Sequence, residues 1–322
     1  MARPDAPPVQ NPVANAVEPD REHDVELAEL LDEVRRIDVL SRRVVTDVMA
    51  GGWNSAFRGS GMVFDEVREY VPGDDPRSVD WNVTARVGRP FVKQFVEERE
   101  QTVLFLFDLS ASMDSGFGAL TARQMAARVV ACLGLSAVRN GDKVGLIACG
   151  AEVERHVPAQ KGLAHVLRIV RDCLALPPRA PGTDLAAALT LATRAERRRA
   201  VVFLVSDFLG EGFERALAPC ARRHDVVAVR LLTPALDALP RALVHVVDPE
   251  TGVRRLVDGR DPRTRGAYER RVATWRARTA DALRRAGADL MDVPVPRTAD
   301  RHMIARPILR FFRMRAERGA KR

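Results

Sequence analysis

Apolar residues run unbroken from Val103 to Phe107 and again from Ala200 to Val205; the first run leads directly to Asp108, and the second leads through Ser206 to Asp207. Unbroken runs of this length, in place of alternating ones, predict strands buried on both faces. Lys143 to Cys149, Val226 to Leu232, Leu243 to Val247 and Ala288 to Val293 predict further strands. Helix-period spacing separates them: Thr121 through Met125, Val129, Val130, Leu133 and Val138 up to the Asn140-Gly141 stop, then Gly162 to Leu174, Asp184 to Glu196 and Asp261 to Ala286. Strands alternating with helices after residue 101 predict an α/β domain over residues 101–300, built on a doubly wound, mainly parallel sheet of Rossmann type. Pro249-Glu250-Thr251-Gly252 predicts a hairpin turn within it.

The first hundred residues read differently. Residues 1–21 are polar and Pro-rich, as expected of a disordered end. Glu22 to Ala50 sets Val25, Leu27, Leu30, Leu31, Val34, Ile37, Leu40 and Val44 on a helical stripe among charges, which predicts an amphipathic helix packed back on the domain. Trp53 to Gln101 lacks helix periodicity and is broken by Gly59, Gly61, Pro72-Gly73 and Gly88-Arg89-Pro90, which predicts strands and turns, so residues 22–100 form a helix followed by a small β-rich collar. Both charge signs crowd the collar around Tyr70 and Trp81. Two readings stay open there: an ion-paired surface worth about 0 to 1 kcal/mol per pair, or a recognition surface anchored by aromatics and Arg.

The chemistry gathers at the strand ends, where open α/β sheets bind ligands. Asp108-Leu109-Ser110-Ala111-Ser112 places one carboxylate and two hydroxyls on a single turn. This hard-oxygen set suits magnesium or manganese better than zinc, which prefers His and Cys. Two other segments fit beside it: Pro181-Gly182-Thr183-Asp184, a loop opening a helix with Thr183 at its cap or apex, and Ser206-Asp207-Phe208 after the second buried strand. Each piece has a plain structural use as well, since Ser110, Ser112 and Asp184 are all helix-capping residue types.

Asp-x-Ser-x-Ser, then Gly-Thr-Asp, then a strand ending in Asp resembles the metal-ion-dependent adhesion site of von Willebrand factor A domains. That resemblance implies that Asp108, Ser110, Ser112, Thr183 and Asp207 surround a divalent cation, Mg2+, Mn2+ or Ca2+, with one coordination position open to a partner's carboxylate. The segment from Arg58 through Tyr70-Val71-Pro72-Gly73-Asp74-Asp75-Pro76-Arg77-Ser78-Val79-Asp80-Trp81 to Arg86 resembles the signature of the DUF58 family, whose members carry a von Willebrand A-like domain. The likeness continues through Gly88 to Lys93, Glu97 to Glu100, Asn140 to Leu146 and Ser206 to Phe208. Members of that family are usually encoded beside MoxR-type AAA+ ATPases. The resemblance therefore implies an adaptor or co-chaperone that links such an ATPase to a client protein.

Composition narrows the alternatives. The 322 residues carry 51 Lys+Arg against 43 Asp+Glu, a net charge of +8, yet residues 301–322 alone hold +7. The basic balance thus belongs to the C-terminal tail, where Ile304, Ile308, Leu309, Phe311 and Phe312 predict a short element that docks with its Arg residues outward. Anionic membrane or nucleic acid binding through this tail is the alternative function, although no helix-turn-helix, zinc finger or aromatic-interleaved basic patch supports nucleic acid. Cys132, Cys149, Cys173 and Cys220 are far apart and predict reduced core thiols. With no apolar signal region in Met1 to Asp20 and no run near the roughly 20 residues of a membrane span, a cytoplasmic protein is expected. A metal-dependent hydrolase is the enzymatic alternative. His23, His156, His165, His224, His245 and His302 share no motif, and no GxxxxGK[ST], GxGxxG or GxSxG occurs, so a binding module is expected in place of an enzyme.

Overall fold

The computed structural model describes residues 63–320, apart from 73, 76–77, 97–99, 117, 178–179 and 299–302. The helix expected over Glu22–Ala50 and the start of the collar lie outside the described residues. Strand β1 (Val63–Glu69) pairs antiparallel with β2 (Phe91–Val96), and helix α1 (Trp81–Val87) lies between them in sequence. The remaining elements are β3 (Thr102–Asp108), α2 (Ala122–Arg139), β4 (Lys143–Cys149), β5 (Val153–Gln160), α3 (Leu163–Ala175), α4 (Leu185–Ala195), β6 (Val201–Ser206), α5 (Glu214–Arg223), β7 (Asp225–Leu232), β8 (Leu243–Val247), β9 (Arg254–Asp258), α6 (Pro262–Ala286), β10 (Asp289–Pro294) and α7 (Ala305–Ala320).

Six strands form one sheet in the order β10-β7-β6-β3-β4-β5. The first five are mutually parallel and β5 runs antiparallel at the edge. Successive side chains of each central strand enter opposite layers, as the pleat requires. Val103, Phe105, Phe107, Val201, Phe203 and Val205 face α2, α3 and α7, and the Phe105 and Phe203 rings stack with centroids 5.5 Å apart. Leu104, Leu106, Val202 and Leu204 face the other layer, which receives Leu185 and Leu189 of α4, Leu217 of α5 and Leu283 of α6. Two covered faces explain why these strands read as unbroken apolar runs. The expected doubly wound, mainly parallel α/β fold is thus the observed one.

The chain leaves β3 for β4 on one side and returns to β6 on the other, so the strand order reverses at β3. Such a switch point opens a crevice at the carboxyl ends of the flanking strands. Phe107 is paired with Val205, which brings Asp108 level with Ser206 at that crevice.

Two stretches depart from expectation, and a third, at the C-terminus, docks as expected. The collar contains a helix: Asp80 accepts from the Asn82 and Val83 amides at 2.9 and 3.3 Å, and Gly88 closes the helix in the left-handed region at φ 74°. Seven residues are too few to show a period, and none is buried. Strand β5 is an edge element with half of its residues exposed and only Val157 buried, so its pattern lacked the apolar run of its neighbours. The C-terminal residues are helical and belong to the core, with Ile304, Ile308, Phe311 and Phe312 buried in the α2/α3 layer. Arg315 is committed to Asp225 and Asp289, and Arg318 pairs with Asp289 as well. The last helix is thus an integral part of the α/β unit.

Candidate functional site

Strand β3 delivers Asp108 to the crevice, where it is buried at the sheet rim. The Ser110 amide donates to Asp108 Oδ1 at 2.8 Å, which folds the turn back on the carboxylate. The Ser206 hydroxyl donates to Asp108 Oδ2 at 2.5 Å and itself accepts from the Phe208 amide at 2.9 Å. Beyond the turn a single 3-10 segment (residues 111–114) sets the Ser112 hydroxyl 3.1 Å from that of Ser110. The Ser112 hydroxyl also lies close enough to the Asp207 carboxylate to pull its pKa down, and Asp207 Oδ1 accepts from the Leu209 amide at 3.0 Å. Asp108, Ser110, Ser112 and Asp207 therefore form one connected, buried group, with Ser206 as an additional member.

The backbone at Asp207 is held in an uncommon conformation. Phe208 has φ 57°, the one non-glycine among the described residues on the left-handed side. Its ring is buried edge-on to Phe213 at 5.4 Å, and its carbonyl accepts from Trp275 Nε1 of α6 at 2.9 Å. Packing and that hydrogen bond hold a turn the residue would not choose, as is common where a loop must aim a functional group.

Thr183 lies at the mouth of the same crevice. Gly182, at φ 114°, takes a conformation that only glycine adopts easily, and Asp184 caps α4 by accepting from Ala187 at 2.9 Å. The capping use of Asp184 is thus the structural one. Thr183 packs its Cβ and Cγ2 toward Gly210, on the loop that follows Asp207, so that a Cβ at Gly210 would stand 3.4 Å from it. Its hydroxyl makes no hydrogen bond to the other four residues among those described. Thr183 is adjacent to the group without being joined to it.

A residue with no role in the sequence reading completes the arrangement. Glu250, on the turn between β8 and β9, accepts from the Ser112 amide through Oε1 at 3.0 Å and from the Gly182 amide through Oε2 at 2.7 Å. It reaches across 138 residues of sequence to one loop and 68 to the other. No local spacing signals such a contact. The one available clue was an acidic residue at the tip of a predicted hairpin.

Electrostatically the site is short of positive charge. Burial pushes the Asp108 carboxyl up to about 6 from its ordinary 3.8, and the neighbouring Asp207 charge adds to this, while the Ser206 and Ser110 donors pull the other way. Burial likewise raises Asp207, opposed by the Leu209 amide and the Ser112 hydroxyl and reinforced by Glu250. Among the described residues no Arg, Lys or His forms an ion pair with Asp108, Asp207 or Glu250. Nor do any three His, Cys, Asp or Glu side chains there cluster as a metal cage. An ion at this place would have to be held by hydroxyls as much as by carboxylates, and the Ser110–Ser112 pair beside two unneutralised carboxylates is such a donor set.

Fold and site together define an open α/β protein with an all-oxygen site at the switch point of its sheet. The chain belongs to the DUF58 family, matching the sequence profile of "Protein of unknown function DUF58" over residues 66–278. The uncharacterized protein Rv1480 of Mycobacterium tuberculosis is 34% identical over 302 residues, 92% of this chain and 93% of that protein. The uncharacterized protein MAV169 of Mycobacterium avium is 38% identical over 169 residues, 51% of this chain and 95% of that one. Among solved structures, the conserved hypothetical protein BatB from Bacteroides thetaiotaomicron aligns at TM-score 0.42 and 18% identity, over 69% of this chain and 100% of the other. The SpRpn10 VWA domain aligns at TM-score 0.36 and 11% identity, over 65% and 94%. At these levels the structural likenesses carry nothing about function.

Proposed function

We propose that this protein is a divalent-cation-dependent protein-interaction module. The supporting observation is the pair of buried carboxylates, Asp108 and Asp207, that meet at the switch point ringed by hydroxyls and without a cationic partner among the described residues. Buried charges in folded proteins are paired or bind metals. Asp108, Ser110, Ser112, Asp207 and Thr183 would hold Mg2+, Mn2+ or Ca2+. When bound, the ion supplies a Lewis-acidic position that attracts a carboxylate. The residues of this chain do the rest: Asp108 folds the Ser110 turn through its amide, the Ser110 and Ser112 hydroxyls hold each other, and the αL turn at Phe208 aims Asp207. Few carboxylates in the set leave the position electrophilic toward an incoming acidic side chain.

A binding role is favoured over hydrolysis by the placement of the four histidines among the described residues. His156 lies on β5, His165 on α3 bonded to the Val144 carbonyl at 2.9 Å, His224 at the end of α5 and His245 on β8, and none hydrogen-bonds to the site residues. We further propose, from the family resemblance, that the partner is a MoxR-type AAA+ ATPase and that this chain links it to a client in the cytoplasm. No helix of the described residues is long and apolar enough to cross a membrane. The test is calorimetry of the protein with Mg2+, Mn2+ and Ca2+, alongside capture of the candidate ATPase by wild type and Asp108→Ala with and without EDTA. Asp108→Ala is expected to lose ion and partner together while remaining folded. Equal capture in EDTA overturns the metal-dependent reading and transfers recognition to another surface, first of all the collar around the exposed Trp81.

A further inference from the structure

The turn that carries Glu250 is built for presentation. Asp248 Oδ1 accepts from the Glu250 and Thr251 amides at 3.0 and 3.3 Å, and the Gly252 amide, at φ 69°, donates to the Asp248 carbonyl at 2.8 Å. These bonds lie inside the turn and fix its shape independently of what the Glu250 side chain touches. Behind the turn, β8 and β9 form a two-stranded arm of their own, separate from the six-stranded sheet. The arm is largely solvent-exposed, with Leu243, Val246, Val247 and Leu256 on its surface. Its root is tight: a Cβ on Gly259 would come within 2.0 Å of the Pro240 carbonyl oxygen. At the tip, the Glu250 carboxylate spends both oxygens on the Ser112 and Gly182 amides, one from each loop that supplies the candidate ligand hydroxyls. An arm with fixed root, exposed length and one carboxylate seated in the crevice has the construction of a strap.

We propose that Glu250 is an in-chain occupant of the acceptor position, and that the β8–β9 arm is an autoinhibitory strap that a partner's Asp or Glu side chain must displace. The inference rests on the metal-dependent reading given above, and it names the ligand chemistry that the crevice already receives, a side-chain carboxylate held by two backbone amides. Displacement follows from competition. A tethered carboxylate is present at an effective concentration on the order of millimolar, and an external carboxylate binds only in the fraction of molecules whose arm is lifted. A lone acidic side chain is thereby rejected, whereas a partner that also engages surface beyond the crevice succeeds. The exposed apolar residues of the arm are available for that second contact.

The experiment uses the full chain in three forms: wild type, Glu250→Gln and Glu250→Ala. Mn2+ binding is read by calorimetry, and a fluorescent glutamate-bearing glycine peptide, with its glutamine counterpart as control, reports the acceptor position. All three proteins are expected to bind Mn2+, with both variants binding the glutamate peptide about tenfold or more tightly than wild type and neither retaining the glutamine peptide. Hydrogen exchange is expected to show the Ser112 and Gly182 amides losing protection in both variants while β3 and β6 stay protected. If no form binds Mn2+, the metal-dependent reading itself falls. If all bind Mn2+ but the glutamate peptide binds equally to wild type and variants, or to none, the strap is overturned and the ion site stands. Loss of Mn2+ binding in Glu250→Ala alone also overturns it, by making Glu250 a permanent ligand.

Discussion

Asp108 is a buried carboxylate that no cation among the described residues neutralises. Its folded pKa of about 6 lies above the ordinary 3.8, so the folded state holds a proton that the unfolded chain releases between those values. Stability from this group is therefore highest below about pH 4, declines as pH rises toward 6, and is lowest above it, by on the order of 3 kcal/mol. Asp207, raised in the same direction, adds to the slope. In EDTA, urea denaturation is expected to show stability falling between pH 4 and 6, with the fall markedly reduced in Asp108→Asn. An unchanged slope in that variant would assign the effect to other groups. At this scale the sequence was informative wherever chemistry was local: Asp108, Ser110 and Ser112 share one turn, and Asp207 repeats the strand-end position. Ser206 and Glu250 escaped because their partners lie 98 and 138 residues away, and a lone hydroxyl or carboxylate carries no mark of a distant acceptor or donor.

Among the elements, burial decided what could be foreseen. Strands β3 and β6 are apolar on both sides and stand out, whereas β5, paired with β4 but with few buried side chains, and α1, with none, carry too little buried surface to show a pattern. Helix α7 is the instructive intermediate. Its apolar residues were legible, but the many Arg residues around them gave it the look of a tail until their acidic partners on β7 and β10 came into view. The helix presses Ile308, Phe311 and Phe312 onto the α2/α3 layer. Phe312 is fully buried, so Phe312→Ala is expected to cost about 3 to 5 kcal/mol, through lost transfer energy and the cavity left behind. Chemical denaturation measures this directly. A cost below about 1 kcal/mol would mean that the helix frays from the core in solution and that its basic residues are free to serve as a surface anchor.

For the whole molecule, topology explains why so distributed a site is possible. Reversal of strand order at β3 makes the carboxyl ends of β3 and β6 neighbours, and the register that pairs Phe107 with Val205 sets two acidic loops side by side. The sheet is fixed by two apolar layers, so it can hold those like charges together at the rim. A cation that binds only this folded arrangement adds RT ln(1 + [L]/Kd) to global stability, about 2.7 kcal/mol when the ion is at 100 times its Kd. For a fold of this size that corresponds to a rise in melting temperature of roughly 5 °C. The rise is expected with Mg2+ or Mn2+ at neutral pH and should shrink near pH 5, where protons compete for Asp108. Asp108→Asn should abolish most of it, whereas Glu250→Gln should retain it, since Glu250 contributes to occupancy of the crevice and not to the ion's holding set. A melting temperature indifferent to divalent ions at neutral pH would leave the buried carboxylates as a strained, ion-free feature of the rim.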